Sequence, residues 1–125
     1  MEELNNLKHE EFGIQQSRDD GRINLRWSGS LFVPEPETIL EPYLDGILEE
    51  ARGDGLRIRF QFEDMETMNS VVLSFMIRYL RKIEENRVPV YFTYDPAKKL
   101  QIAFFKSLSY IAQKSEYITV SEKNV

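Results

Sequence analysis

The chain has no cysteine. That excludes a disulfide framework, a thiol nucleophile and thiolate metal sites. It also fits a reducing compartment, so a cytoplasmic location is expected. A single histidine, His9, stands near the start of the sequence. Far from any plausible site, it reads as an exposed tail residue rather than a base or a ligand. Apolar runs fall well short of the roughly 20 residues that cross a bilayer. The opening residues Met1-Glu2-Glu3-Leu4-Asn5 are acidic and polar, unlike a secretory signal. A membrane partner is therefore not expected. Positive charge is in deficit, with 16 Lys and Arg against 21 Asp and Glu and a net charge of −5. Phosphate contacts need a basic surface, so nucleic acid is not an expected partner. The sequence shows neither a Gly-rich phosphate loop nor a zinc-type ligand spacing. Glu63, Asp64 and Glu66 form the one carboxylate cluster near a strand end, and ordinary loop solvation explains them. Neither cofactor, metal nor catalysis is called for.

What is present suits one globular domain. The chain has 125 residues, of which 42% are hydrophobic and 30% charged, enough for a single core without staples. Residues 1–9 read as a leader and residues 10–122 as the domain. A weak strand is expected over Glu11 to Ser17, then a turn at Asp19-Asp20-Gly21. Ile23, Leu25 and Trp27 alternate with Asn24, Arg26 and Ser28, which predicts a second strand in a hairpin. Leu40, Tyr43, Leu44, Ile47, Leu48 and Ala51 share a helical stripe. The regular part of that helix is expected to begin near Pro42 and to stop at Gly53. Leu56, Ile58, Phe60 and Phe62 alternate with Arg57, Arg59 and Gln61 as a third strand, and Glu63 to Asn69 reads as a loop. Val72, Phe75, Met76, Tyr79, Leu80 and Ile83 line one face of a second helix. Val88 to Tyr94 is a fourth strand. Asp95-Pro96 reads as the cap and first turn of a third helix marked by Leu100, Phe104, Leu108 and Ile111. Tyr117 to Val120 closes as a short strand.

The order β-β-α-β-α-β-α-β predicts an α/β fold with a mixed sheet, largely parallel after the hairpin. Strands covered on both faces are apolar throughout. Here Asn24, Arg26, Arg57, Arg59, Gln61 and Thr93 occupy one face. The prediction is therefore a two-layer fold, three helices on one side and the other side open. Phe60, Phe62, Phe75, Tyr79 and Phe104 are its expected core.

These patterns resemble the STAS family, the fold of bacterial anti-sigma factor antagonists. The stretch Ile23-Asn24-Leu25-Arg26-Trp27-Ser28-Gly29-Ser30-Leu31 is similar to that family's second strand, which ends in Gly-x-Leu before the first helix. The stretch from Ile58 to Ser70 resembles its central strand and loop. In the family that loop ends in Asp-Ser-Ser-Gly or a variant, and the first hydroxyl residue is the phosphoacceptor. Asn69 takes the Asp place and Ser70 the phosphoacceptor place, while Val71 and Val72 stand where the second hydroxyl residue and the Gly would be. The resemblance covers about residues 10 to 122. It implies a non-catalytic, partner-switching module of bacterial signal transduction. A Ser/Thr kinase would toggle it and a phosphatase reset it. Its unphosphorylated form would bind a protein, either an anti-sigma factor or a signalling enzyme such as a diguanylate cyclase. Two other readings stay open: a constitutive scaffold that is never phosphorylated, and a small-ligand or nucleotide-binding domain.

On this reading Ser70 is the candidate phosphorylation site and Thr67 a second one in the same loop. The partner-binding candidates are Met65, Thr67, Met68, Asn69, Ser70, Ser74 and Arg78. Each has a plainer reading. Asn69 and Ser70 serve equally as a helix cap. Met65 and Met68 either adapt to a partner or fill core beneath the loop. Arg78, Arg81 and Lys82 either meet an acidic partner or pair locally with Glu84 and Glu85. A phosphate on Ser70 would suit a helix N-terminus, and Glu63, Asp64 and Glu66 are expected to repel it.

Overall fold

The computed structural model describes residues 6–122, apart from the side chain of Leu100. Its elements are β1 (Leu7–His9), β2 (Phe12–Asp19), β3 (Arg22–Leu31), α1 (Pro36–Asp54), β4 (Arg57–Met68), α2 (Ser70–Asn86), β5 (Val90–Tyr94), α3 (Lys99–Ala112) and β6 (Ile118–Glu122). The six strands form one sheet whose spatial order follows the chain. The first two pairings are antiparallel, and β3 to β6 run parallel. Right-handed crossovers that always step in the same direction leave every helix on the same side. Ile23, Leu25, Trp27, Ile58, Phe60, Phe62, Val90 and Phe92 face that side and are buried. Arg26 and Arg57 point the other way and are exposed, with Arg59 and Gln61 half-buried beside them. The expected two-layer architecture is the one observed.

Packing in the helical layer centres on Phe62. Its ring stacks nearly parallel to Phe92, at 5.9 Å, and meets Phe104 and Phe105 edge-on. Trp27 closes the near side at 4.8 Å. Such offset and edge-to-face contacts add to the burial itself. Phe75, Tyr79 and the other expected core residues are buried as well.

The structure departs from the sequence reading at the element ends. Leu7–His9 is an edge strand on β2, where a leader was expected; three residues show too little alternation to be recognised. Residues 1–5 of that leader lie outside the described residues. His9 consequently sits half-buried in a strand. Helix α1 starts at Pro36 and carries Pro42 inside it. Pro42 and Thr38, whose carbonyl loses its partner to the proline ring, are both exposed, so water can serve that carbonyl. The buried stripe from Pro36 to Ala51 outweighs the local cost. The helix stops at Gly55, which is left-handed at φ 68°, rather than at Gly53. Asp95-Pro96 forms a turn instead of the α3 cap: Asp95 Oδ1 accepts from Ala97 N at 2.9 Å, and the helix starts at Lys99.

Gly29 is required where it stands. Its φ is +84°, and a Cβ there would lie 1.8 Å from the Glu11 carbonyl oxygen. Gly29→Ala should therefore destabilise the protein by about 3 kcal/mol or more, read as a fall in the urea midpoint. Truncating Phe75 to Ala should cost about 3–5 kcal/mol. A wild-type melting temperature for this second variant would mean that α2 is rotated about its axis.

Candidate functional site

The corner between β4 and α2 is built by an unusual strand. β4 pairs with β5 only from Ile58 to Gln61. It then continues alone beside β3, with register shifts between Arg26 and Ser28 and between Gly29 and Ser30. Each shift places an extra β4 residue against β3, as a bulge does. The outer carbonyls of this extension need donors, and Gln101 of α3 and Lys98 at its N-cap supply them. Gln101 Nε2 donates to Phe62 O at 2.9 Å and to Met65 O at 2.8 Å, and Lys98 Nζ donates to Met65 O at 3.2 Å. The stretch expected as a loop is therefore strand as far as Met68.

This changes what the candidates can do. Met65 is 1% exposed and belongs to the core, so it is not a docking residue. Thr67 and Met68 are half-buried, and with Met65, Leu73 and Gln101 they line a recess of about 80 Å³. Asn69 is the joint. Its Oδ1 caps α2 by accepting from Val72 N at 3.0 Å, and its Nδ2 donates to Val33 O at 3.0 Å. Its backbone N donates to Leu31 O at 3.2 Å. One side chain thus fixes both the start of α2 and the exit of β3. Ser70 is the first helical residue and is exposed, as are Ser74 and Arg78 further along the same helix.

The acidic residues upstream each have a partner. Asp64 pairs with Arg26 at 2.5 Å, Thr93 Oγ1 donates to Glu63 at 2.5 Å, and Glu66 lies 3.6 Å from Lys98. In an extended strand Glu63 lies roughly 20 Å from Ser70, beyond the range of unscreened repulsion in salt.

Helix α2 is held against α1 by polar contacts across the layer. Tyr79 donates its hydroxyl to Asp45 at 2.8 Å, and Lys82 reaches the same carboxylate at 3.1 Å and Glu41 at 3.4 Å. Burial, reinforced by the Asp45 carboxylate, keeps the Tyr79 hydroxyl protonated far above the usual phenol range. The hydrogen bond from Lys82 to Asp45 raises the Lys82 ammonium above its ordinary value. Lys82 thus serves α1 rather than Glu84 or Glu85. Arg78 and Arg81 make no ion pair among the described residues.

Two exposed apolar side chains flank the corner: Val71, already noted in the motif, and Phe32, which the sequence reading did not single out. Phe32 is 60% exposed and Val71 41% exposed. Phe32 stands between Leu31 and Val33, both bonded to Asn69. Strand parity was the available signal, since Leu31 and Val33 point inward. Val72, by contrast, is core.

A solved anti-sigma factor antagonist from Mycobacterium paratuberculosis superposes on this chain with a TM-score of 0.55. The fold is STAS-like. The two share 12% sequence identity over 84% of this chain and 86% of the other. No family model matches the sequence, and no curated protein does. Within the STAS-like frame, Ser70 follows the central strand at the first turn of the next helix. Val72 N is taken by the cap and Leu73 N by Asn69 O at 3.2 Å, so the amides of Ser70 and Val71 have no intrahelical acceptor. An anion on the Ser70 hydroxyl is compatible with that end of the helix dipole. No cluster of three or more His, Cys, Asp or Glu able to hold a metal occurs among the described residues. No helix among them is long and apolar enough to cross a membrane.

Asn69→Ala should cost more than an ordinary cap, about 2 kcal/mol, because the Val33 carbonyl also loses its donor. Asn69→Asp should recover the cap but not the tether, and so fall between the two in chemical denaturation.

Proposed function

We propose that this chain is a non-catalytic regulatory module that binds a protein partner through the β4–α2 corner and the exposed face of α2, and that phosphorylation of Ser70 switches it. The observation that carries the reading is the position of Ser70: an exposed hydroxyl at the first turn of α2, preceded by the anchor Asn69 and followed by the exposed Val71, in a STAS-like fold. The docking surface comprises Thr67, Met68, Asn69, Ser70, Ser74 and Arg78. A Ser/Thr kinase adds the phosphate and a phosphatase removes it. The unphosphorylated form binds the target, an anti-sigma factor or another signalling enzyme. A phosphate carries close to two negative charges at neutral pH. Placed next to the exposed Val71, it must be desolvated before a partner can cover it, which disfavours docking.

A second reading is favoured by a specific feature. Phe32 and Val71 offer apolar contact that needs no charge switch. On that reading the module is a constitutive scaffold, and Ser70 only begins a helix.

One experiment separates them. The partner is captured from the native cell with wild-type bait, identified by mass spectrometry, purified and titrated against wild type, Ser70→Ala and Ser70→Asp. Intact-mass analysis of the cellular protein reports the phosphate. All three forms should melt within about 1 kcal/mol of one another. Ser70→Asp should bind at least about tenfold more weakly than Ser70→Ala. Equal binding by all three, with no phosphate in cells, rejects the switch in favour of the scaffold.

A further inference from the structure

Charge is unevenly divided over the helical layer. Between Asp95 and Glu116 the sequence holds four lysines, Lys98, Lys99, Lys106 and Lys114, and no acidic residue. Helix α3 is thus cationic on a chain of net charge −5. Lys98 is engaged within the molecule, with Met65 O at 3.2 Å and Glu66 at 3.6 Å. Lys99, Lys106 and Lys114 make no ion pair among the described residues. Helix α1 has the opposite balance, six carboxylates against one cation, Arg52. Lys82 reaches Glu41 and Asp45, and Arg18 pairs with Glu50. Glu37, Glu49 and Asp54 are exposed and make no ion pair among the described residues.

The exposed side of α3 carries more than charge. Lys99, Ile102, Lys106 and Tyr110 follow one another at three- and four-residue spacing, so they share one face. Ile102 and Tyr110 are among the exposed large apolar side chains. Tyr110 is braced by the next turn: Lys114 Nζ lies 4.7 Å from its ring centroid and donates to its hydroxyl at 3.3 Å. An aromatic ring held in place loses little freedom when a partner covers it. The exposed side of α1 is low by contrast, running through Thr38, Pro42, Gly46 and Glu49. Pro42 and Gly46 both cost helix stability, and a Cβ on Gly46 would meet nothing within 4 Å.

We propose that the exposed face of α3 docks on α1 of a second copy of this chain. The lysines of one copy meet the carboxylates of the other, and Ile102 and Tyr110 lie over the low stretch at Pro42 and Gly46. Lengths agree: Lys99 to Tyr110 spans roughly 17 Å of α3 and Glu37 to Glu49 roughly 18 Å of α1, at 1.5 Å per residue. The pairing has to be between copies. Crossovers place α1, α2 and α3 in strand order, so α1 and α3 of one molecule stand two helix spacings apart, roughly 20 Å. The contact joins two different faces, so each can be altered separately. It does not rest on the Ser70 switch.

Sedimentation velocity follows the full chain over a wide concentration range, at low ionic strength and at about 1 M salt, where the screening length is about 3 Å. The weight-average sedimentation coefficient should rise with concentration at low salt and stay at the monomer value at high salt. Lys99→Glu with Lys106→Glu, and separately Glu37→Lys with Glu49→Lys, should each abolish the rise while circular dichroism shows the fold retained. Mixing the two variants should restore it, since opposite charges face each other again. Tyr110→Ala should weaken association at least about tenfold. A chain that stays monomeric at low salt overturns the proposal, as does association that the lysine variant leaves intact or that mixing fails to restore. A monomer that instead binds phosphatidylserine vesicles through the same lysines also overturns it, in favour of an anionic membrane surface.

Discussion

Handedness of the crossover connections is the constraint on which this structure depends. A β-α-β unit packs back on its sheet in one hand. Because the strands lie side by side in chain order, that rule is applied three times in the same direction. All three helices must then share a face. A sheet whose order reversed midway would carry helices on both sides and would need strands apolar throughout. The arginines of β3 and β4, and Gln61, are therefore admissible in this topology.

The candidate site and both faces of the sheet then follow from β4. On its inner side Phe60 and Phe62 anchor the aromatic cluster. On its outer side Arg57 and Arg59 face solvent with the polar rows of the sheet. Beyond Gln61 it outruns β5 and survives as a strand because β3 pairs on one side and Gln101 and Lys98 serve its carbonyls on the other. That extension delivers Asn69 to the point where β3 exits and α2 begins. The clamp of Tyr79 and Lys82 on Asp45 sets how α2 leaves the corner. The core, the open face and the corner are thus three consequences of one strand.

Much of this was legible in the residues. Alternation in Ile23-Leu25-Trp27 and Ile58-Phe60-Phe62 told which face is buried, because strand side chains alternate without exception along a regular strand. The α2 stripe was equally clear, since its apolar residues recur at helical spacing over the whole element. The corner was less so. Glu63 to Met68 has polar and charged residues of a loop-like kind, and what keeps it extended is two side chains, Lys98 and Gln101, more than 30 residues later in the chain. Pro42 was misleading for a related reason: its local cost is real, but burial of residues on both sides of it decides the outcome. Met65 read as a docking residue because composition cannot tell a buried methionine from an exposed one.

The sequence by itself determined the element order, the inward and outward faces of β3, β4 and α2, and the capping role of Asn69. These depend on periodicities and backbone preferences that act within a few residues. Only the tertiary structure decided that β4 runs to Met68, that Gly29 must pass against the Glu11 carbonyl, that Asn69 ties to Leu31 and Val33 on either side of Phe32, and that Arg22 and Arg57 are neighbours. Each of these joins residues far apart in the chain, and their proximity is set by strand register and by the hand of the crossovers rather than by any local signal.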